Sequence, residues 1–246
     1  GYSFFFNTPV TSLIAERLPA TLLLVFTAQL FALVIGVVLG VISAQRPNGM
    51  LSHFVTLLAL FGYSAPVFWT GIMLLIGLSL MLPLFPVAGM VDARLMDAPM
   101  WRQYLDVLHH LFLPALTLAS IFLALYSRLC RASMLEVLGA DYIRTARAKG
   151  LTEREIVYKH ALKNSLGPVV TLAGLQFSAV VSGAVLVETV FSWPGLGTLA
   201  LQSILARDTP TILGILFFSA LVVIVGNLLT DLVLRLIDPR IRSGGG

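Results

Sequence analysis

The polar side chains that lie closest to apolar stretches are the first candidates for chemistry in this sequence. The carboxylate of Glu188 and the amide of Gln176 lie within or at the end of such a stretch. A polar group at membrane depth is costly and normally faces protein or water, so either group could line a solute path. The amide of Gln176 could equally join two helices by hydrogen bonds.

The sequence contains no P-loop, no Gly-x-Ser-x-Gly elbow and no His-Glu-x-x-His pair. Three histidines, His109, His110 and His160, are candidate metal ligands. Adjacent residues on a helix point in different directions, and no cysteine or carboxylate cluster joins these histidines, so an ordinary interfacial role is favoured for them. We therefore expect no catalytic residue, no metal site and no cofactor bound by this chain.

A polar stretch at 136–160 has the pattern of two short helices rather than of a loop. Asp141 is a candidate N-cap of the first helix, and Gly150 follows its cation-rich last turn in the manner of a C′ glycine. The cations fall mainly on other faces, so the helix is amphipathic. Its apolar face is predicted to consist of Tyr142, Ile143 and Ala146.

The second helix is predicted to begin at Thr152, because Glu155 three residues later completes a capping box. This helix runs towards Pro168, where an apolar stretch begins. Two interpretations of the helix–glycine–helix pattern stay open on physical grounds. It is either an amphipathic segment lying among anionic lipid headgroups or a docking surface for a soluble partner.

The run Trp193-Pro194-Gly195 predicts a tight turn after the fourth apolar window. The simpler interpretation is a turn whose tryptophan anchors it at the membrane–water interface. The alternative is a functional hairpin near the mouth of a solute path.

Composition places the whole chain in a membrane. Only 11% of the 246 residues are charged, 58% are hydrophobic, and the mean hydropathy is +0.93. Soluble domains carry about 25% charged residues, so a soluble enzyme and a disordered chain are excluded. The single cysteine, Cys130, permits no internal disulfide, and a net charge of +4 spread along the chain does not indicate nucleic acid.

Five uncharged windows are each long enough for a helix to cross ~30 Å of hydrocarbon at 1.5 Å per residue. The windows show no period-2 alternation, so helices rather than barrel strands are expected. The fold class is therefore all-α, a polytopic helix bundle with one transmembrane domain over residues 1–246. The windows are 18–45, 47–91, 107–127, 164–187 and 209–230.

The second window is ambiguous, because its two halves are short for separate spans. We predict one span over roughly 54–82, kinked at Pro66. Twelve of the sixteen Lys and Arg residues then lie on the same side as 128–163, which is cytoplasmic by the positive-inside rule. Residues 1–17, 83–106 and 188–208 are predicted to lie outside.

Two runs in and after the polar stretch, 142–151 and 160–168, resemble the cytoplasmic "EAA" signature loop of ABC importer permeases. The resemblance is closest to the dipeptide, oligopeptide and nickel permease subfamily of binding-protein-dependent inner-membrane components. It covers essentially the whole chain. Further similar stretches are 17–21, 131–134, 188–197 and 238–242.

Two positions of the loop match the broad family pattern and two depart from it. Ala146 and Gly150 match, whereas Arg144 and Thr145 replace the usual Glu and first Ala. The departures are typical of the subfamily, so they narrow the assignment. Family members carry six spans, and the five windows here resemble the second to the sixth. The resemblance thus implies a chain lacking the first span, and whether the Gly244–Gly246 tail is native stays open.

The resemblance implies a transport subunit rather than an enzyme, with a coupling segment at 136–167. Two ABC ATPase subunits, which bind ATP and Mg²⁺, are the implied partners, with a second homologous permease and a soluble solute-binding protein. The complex would work in the lipid bilayer of the inner membrane by alternating access. The implied ATPase-docking residues are Tyr142, Ile143, Arg144, Thr145, Ala146, Arg147, Lys149, Gly150, Leu151 and Glu153.

Residues of the translocation path or outer gate are expected among Glu188, Trp193, Pro194, Gly195 and Gln176. The expected cargo is a short peptide or a similar small solute, and the subfamily leaves nickel open as an alternative. A secondary transporter driven by an ion gradient would have broken helices and charges in its span centres, which are scarce here. A membrane scaffold without transport would not explain the helix–glycine–helix pattern.

Overall fold

The computed structural model describes residues 1–95 and 97–237, and helices dominate this part of the chain. Two expectations, the similar stretch 238–242 and the glycine tail 244–246, lie outside the described residues. Within them, one isolated bridge joins Tyr2 and Pro9, and no other strand pairing occurs. The predicted all-α class is therefore confirmed. The main helices are α1 Val10–Gln45, α2 Met50–Ser64, α3 Val67–Leu75, α4 Met100–Leu138, α5 Asp141–Ala148, α6 Glu153–Glu155, α7 Leu162–Leu175, α8 Phe177–Val190, α9 Leu196–Leu205 and α10 Thr209–Ile237.

Two of these helices continue as π-helical turns, and one short 3₁₀ turn lies between α3 and α4. Ile76–Met81 extends α3, and Ile156–Ala161 joins α6 to α7, so residues 153–175 form one helical run. The 3₁₀ turn is Ala93–Leu95.

Three helices among the described residues are long and apolar enough to cross a membrane: α1, α4 and the Thr209–Leu229 part of α10. A fourth crossing results if the run from Glu153 to Leu175 and the following helix to Val190 count together as one span. Length and composition thus yield three to four spans, and the count of five stays a prediction.

The structure differs most from the sequence prediction in the second window, where one kinked span is expected. Helix α2 ends at Ser64 and α3 begins at Val67, so the helical structure is interrupted at Ala65 and Pro66. Pro66 has no backbone N–H and disfavours helical geometry at the preceding residue, and its own ψ of 134° is extended. The predicted kink is therefore a complete break between two short helices.

Helix α4 is longer than the window that predicted it. Its 39 residues include the whole window 107–127 and continue to Leu138, with Pro114 accommodated inside. No glycine occurs between Pro114 and Gly139, so nothing in the sequence stops the helix earlier. A helix of this length measures about 58 Å, nearly twice the ~30 Å hydrocarbon layer.

The fourth window is also divided. Helix α7 ends at Leu175 and α8 begins at Phe177, with Gln176 between them and its N–H bonded to the Leu172 carbonyl at 3.0 Å. The helical run also begins earlier than the window predicted, at Glu153, and passes through Pro168 without a break.

The described residues group into two compact units, each assembled from separate stretches of chain. The first contains 1–30, 65–119 and 178–225, and the second contains 31–64, 120–177 and the described residues from 226. One core of the first unit consists of Val10, Ile14, Leu196, Leu199 and Ile215.

In the second unit α1 and α4 pack closely at two glycines one turn apart. A Cβ added at Gly36 would lie 2.9 Å from the Tyr126 Cβ, and one added at Gly40 would lie 2.6 Å from the Cys130 Cβ. Contacts this short leave no room for a side chain, as expected of a Gly-x-x-x-Gly helix interface.

Candidate functional site

The helix–glycine–helix pattern forms a continuous structure, which we call the glycine corner (residues 141–161). Helix α5 ends in a Schellman motif: the Gly150 N–H donates to the Arg147 carbonyl at 3.0 Å, and the Leu151 N–H donates to the Ala146 carbonyl at 3.3 Å. Gly150 has φ +82°, the left-handed region that glycine occupies without a Cβ penalty. The predicted C′ glycine is therefore present.

The second helix of the glycine corner begins with the predicted capping box. The Glu155 N–H donates to the Thr152 hydroxyl at 3.3 Å, and the Thr152 N–H donates to the Glu155 carboxylate at 3.1 Å. Two N–H groups that lack helical partners are satisfied in this way. The chain thus turns from one helix into the next within the four residues 149–152.

The predicted N-cap of the first helix is wrong by one residue. Ala140 occupies the N-cap, without a side-chain hydrogen bond, and Asp141 is the first residue of α5. The carboxylate of Asp141 lies 3.4 Å from the Arg144 guanidinium at an exposed position. A negative charge in the first turn still favours the helix through its dipole.

A small apolar cluster holds the glycine corner together. Ile143 and Ala146 are buried against Ile156 of the second helix, and Leu138 and Leu151 pack around them. The two buried docking candidates, Ile143 and Ala146, therefore face the interior of the corner. Leu151 is half-buried at its edge.

The remaining docking candidates form an exposed surface. They are Tyr142, Arg144, Thr145, Arg147, Lys149, Gly150 and Glu153. Within it the Arg147 guanidinium donates to both carboxylate oxygens of Glu153, at 2.7 and 3.4 Å, and this hydrogen bond raises the pKa of Arg147. The Tyr142 hydroxyl accepts from the Asn164 amide at 3.0 Å.

The second predicted site, residues 188–208, is a hairpin closed around Glu188, and we call it the Glu188 hairpin. The Glu188 side chain is fully buried. Its carboxylate accepts hydrogen bonds from the Thr21 hydroxyl at 2.7 Å and from the N–H groups of Gly197 and Thr198 at 2.7 and 3.2 Å. The Thr21 oxygen in turn accepts from the Leu196 N–H at 2.8 Å.

These bonds satisfy the first N–H groups of α9, which lack helical partners. A carboxylate at a helix N-terminus is also favoured by the helix dipole. The Glu188 hairpin thus contains a short helix, α9, whose N-terminus is held by a buried carboxyl group. The geometry makes Glu188 a residue that positions the hairpin, because its oxygens already have partners.

Gly195 is required by close approach to this carboxylate. A Cβ at Gly195 would lie 2.2 Å from one Glu188 oxygen and 2.4 Å from the other. The glycine of the predicted Trp-Pro-Gly motif is therefore required by packing. Pro194 is half-buried beside it.

Trp193 does not lie where its sequence context predicted. The side chain is fully buried, and its indole N–H donates to the Ala20 carbonyl at 2.8 Å. The expectation of an interfacial tryptophan is therefore wrong. The indole packs inside the first unit, because α1 supplies the acceptor that a buried N–H needs.

A further polar cluster was missed by sequence reasoning. The buried Asp208 carboxylate, one residue before α10, accepts from the Ser3 hydroxyl, from the Thr211 hydroxyl at 2.7 Å and from the Phe4 N–H at 3.1 Å. Loss of water acts to raise the pKa of Asp208, but these hydrogen bonds outweigh it and the net pKa is lowered. An aspartate before a helix is an N-cap signal, whereas its partners near residue 3 leave no local trace.

The other predicted residues are not among those that build either site. Gln176 is half-buried between α7 and α8. His109 bonds the Leu84 carbonyl at 2.8 Å, and His110 bonds the Asp106 carbonyl at 2.9 Å. Both rings thus have backbone partners.

Comparison with known proteins agrees with the membrane-helix architecture. The oligopeptide transport system permease protein AppB of Bacillus subtilis (strain 168) is 43% identical over 235 residues, which cover 96% of this chain and 73% of that protein. The dipeptide transport system permease protein DppB of Escherichia coli (strain K12) is 41% identical over 258 residues, which cover 98% of this chain and 76% of that protein.

Solved structures show the same fold at lower identity. A chain of the MetNI methionine ABC transporter in an inward-facing conformation superimposes with a TM-score of 0.72 at 19% identity, covering 94% of this chain and 98% of that chain. A chain of an amino acid ABC transporter with histidines gives 0.62 at 16% identity, with 94% of each chain covered. The family model described as "Binding-protein-dependent transport system inner membrane component" matches residues 36–243. The chain therefore belongs to the family of binding-protein-dependent transport system inner membrane components.

Proposed function

We propose that this chain is the membrane-spanning subunit of an ATP-driven importer whose cargo is a short peptide or a similar small solute. Family membership makes it a multi-pass inner-membrane component of bacteria and a transport subunit, not an enzyme. The observation that carries the peptide assignment is 41–43% identity, over nearly the whole chain, to permeases named for oligopeptide and dipeptide transport.

The proposal assigns energy input to the glycine corner. Two separate ATPase subunits bind ATP and Mg²⁺, and each seats one corner, the other belonging to a second, homologous permease. The exposed cations and Tyr142 offer the contact surface, while the Ile143–Ile156 cluster makes the corner stiff enough to transmit a push. A soluble solute-binding protein delivers the cargo from the opposite side.

The mechanism is alternating access, in which the pathway faces one side of the membrane at a time. Switching a two-state equilibrium from 1:99 to 99:1 needs about 5.5 kcal/mol of differential interaction. The sequence has no P-loop, so the proposal requires this energy to come from the partner ATPases through the corner.

The Glu188 hairpin is assigned to the outer gate. Its predicted location is the side where a solute-binding protein docks. Because Glu188 is fully hydrogen-bonded, its role in the proposal is to keep Trp193, Pro194 and Gly195 in one conformation. Gln176, between two helices, is the remaining path candidate.

The test is uptake by a strain that lacks the full-length gene. Complementation should restore accumulation of radiolabelled dialanine and leave nickel accumulation unchanged. Restoration of nickel uptake alone would instead support the nickel alternative. A matched strain carrying Gly150→Val provides the control, because the protein should insert in the membrane and yet fail to restore uptake.

A further inference from the structure

A cavity of about 610 Å³ lies in the second unit, lined by α1, α2, α4 and α7. Most of its wall is apolar, but two arginines and three hydroxyl groups also line it. This volume is in the range of sites for small organic ligands, and a few polar groups on an apolar wall are typical of such sites. The polar lining residues are Ser43, Thr56, Ser127, Arg128 and Arg131.

The two arginines differ in how they are held. Arg131 donates to the Thr56 hydroxyl at 3.1 Å and to the Pro47 carbonyl at 3.1 Å, so two of its five N–H groups are used. The Arg128 residue is exposed, and its side chain makes no hydrogen bond or ion pair with any residue that the structure describes. Three residues apart on α4, both side chains reach the same cavity.

Ser43 provides a second, independent observation that points to a ligand site. Its side chain is buried and lines the cavity, yet its hydroxyl oxygen has no partner among the described residues. An unsatisfied buried hydroxyl costs about 1–3 kcal/mol, so such groups usually have a bound partner. The Ser43 hydroxyl and the remaining N–H groups of both arginines are all hydrogen-bond donors, which suits a group with two anionic oxygens, such as a carboxylate or a phosphate.

We propose that this arginine cavity is a binding site for the carboxylate of the transported peptide, through Arg128, Arg131 and Ser43. The inference rests on the proposed function and deepens it by locating a cargo contact. An arginine near the end of a membrane span normally faces a water-filled cavity or a partner. Guanidinium–carboxylate hydrogen bonds are among the stronger ones in proteins, and the apolar wall accommodates the peptide side chains.

The experiment measures binding to the complete importer without the binding protein, which would itself select peptides. The full-length chain, its partner permease and the ATPases are placed in phosphatidylcholine nanodiscs without nucleotide. Equilibrium binding is measured for radiolabelled dialanine and for dialanine amide, which lacks the carboxylate. We expect the wild type to bind dialanine about tenfold more tightly than the amide.

Arg128→Gln should abolish this preference, because it should lower the affinity for dialanine about tenfold and leave the affinity for the amide unchanged. Ser43→Ala should weaken dialanine about threefold, and Arg128→Lys should retain most of the affinity. Arg102→Gln is the matched control, because Arg102 is an exposed arginine of the first unit beside Trp101. It should change neither affinity.

Equal affinities of the wild type and Arg128→Gln for dialanine would overturn the proposal, as would wild-type complexes that bind no dialanine. If Arg128→Gln loses affinity for dialanine amide as well as for dialanine, Arg128 has a structural role, and the proposal is also overturned. If the wild type binds added phosphatidylglycerol more tightly than Arg128→Gln does, while the two bind dialanine equally, the anion at this site is a lipid headgroup and the proposal is overturned. ATP-driven dialanine uptake by the same wild-type complex with its binding protein tests the proposed function separately.

Discussion

The Thr21 hydroxyl donates a hydrogen bond of 2.7 Å to the buried Glu188 carboxylate, which lies 167 positions further along the chain. The same hydroxyl oxygen accepts from the Leu196 N–H. Thr21 thus joins α1 to the N-terminus of α9 and satisfies two groups that would otherwise be buried without partners. The hairpin that the proposal places at the outer gate is therefore held in part by α1.

Thr21→Val should destabilise the protein by about 1–3 kcal/mol, because it leaves a carboxylate oxygen and an N–H without a partner. The measurement is the midpoint of thermal unfolding in detergent. Thr189→Val is the matched control, since the exposed Thr189 hydroxyl bonds only the Val185 carbonyl of its own helix. The control should shift the stability by less than about 0.5 kcal/mol. Equal shifts in the two variants would contradict the role assigned to Thr21.

Gly195→Ala should disrupt the Glu188 hairpin, because the new methyl group would overlap the Glu188 carboxylate. Overpacking of this kind costs about 1–3 kcal/mol. Adding Glu188→Asp shortens the acid and should restore part of the lost stability. Gly77→Ala serves as the control, since a Cβ there meets nothing within 4 Å. Failure of the double variant to recover stability would show that the overlap is not the cause.

Gly150→Val should uncouple ATP hydrolysis from uptake while the protein still inserts. A β-branched residue at φ +82° is strained by roughly 1–2 kcal/mol, so the turn between the two helices should change shape. Gly150→Asn should lie between the wild type and the valine variant, because asparagine tolerates this region. The ratio of ATP hydrolysed to solute accumulated in proteoliposomes is the readout. Normal coupling in the valine variant would count against the proposed docking role.

The attachment of residues 3 and 4 to Asp208 should weaken in acid. Because the folded protein holds the pKa of Asp208 below its ordinary value, the stabilisation is complete above the unfolded pKa of about 3.9 and is lost as the pH falls through the folded pKa. The protection of the Phe4 amide, which is its hydrogen-exchange rate relative to the intrinsic rate at the same pH, should therefore fall below about pH 4. Asp208→Asn should show low protection of the Phe4 amide at all pH values. If protection in the wild type does not change between about pH 6 and about pH 3, the role assigned to Asp208 is wrong.

Local signals in the sequence predicted the glycine corner well. A capping box and a C′ glycine each depend on residues three to five positions apart, so Thr152, Glu155 and Gly150 could be assigned without knowledge of the fold. The N-cap prediction was wrong by one residue, because Ala140 occupies the N-cap without a side-chain hydrogen bond to the helix. Helix boundaries of this kind are rarely fixed by sequence.

Long-range contacts decided the features that the sequence could not predict. Trp193 looked interfacial because its acceptor, the Ala20 carbonyl, lies 173 positions away. Glu188 looked like a path residue because nothing near it in the sequence indicates that Thr21 will meet it. The arginine cavity likewise needs Ser43 and Arg128 from different helices. Such pairings depend on how the helices pack, which a hydropathy pattern does not specify.

The bond between Thr21 and Glu188 also has a consequence for biosynthesis. Translation proceeds at about 5–20 residues per second, so on the order of 10–30 seconds separate the appearance of the two residues at the ribosome. During this interval the Thr21 hydroxyl lacks the carboxylate to which it donates in the folded protein. Glu188 in turn is synthesised before Gly197 and Thr198, whose N–H groups bond its carboxylate in the folded protein. The hydrogen bonds around Glu188 can therefore be completed only after the N-terminus of α9 has been synthesised.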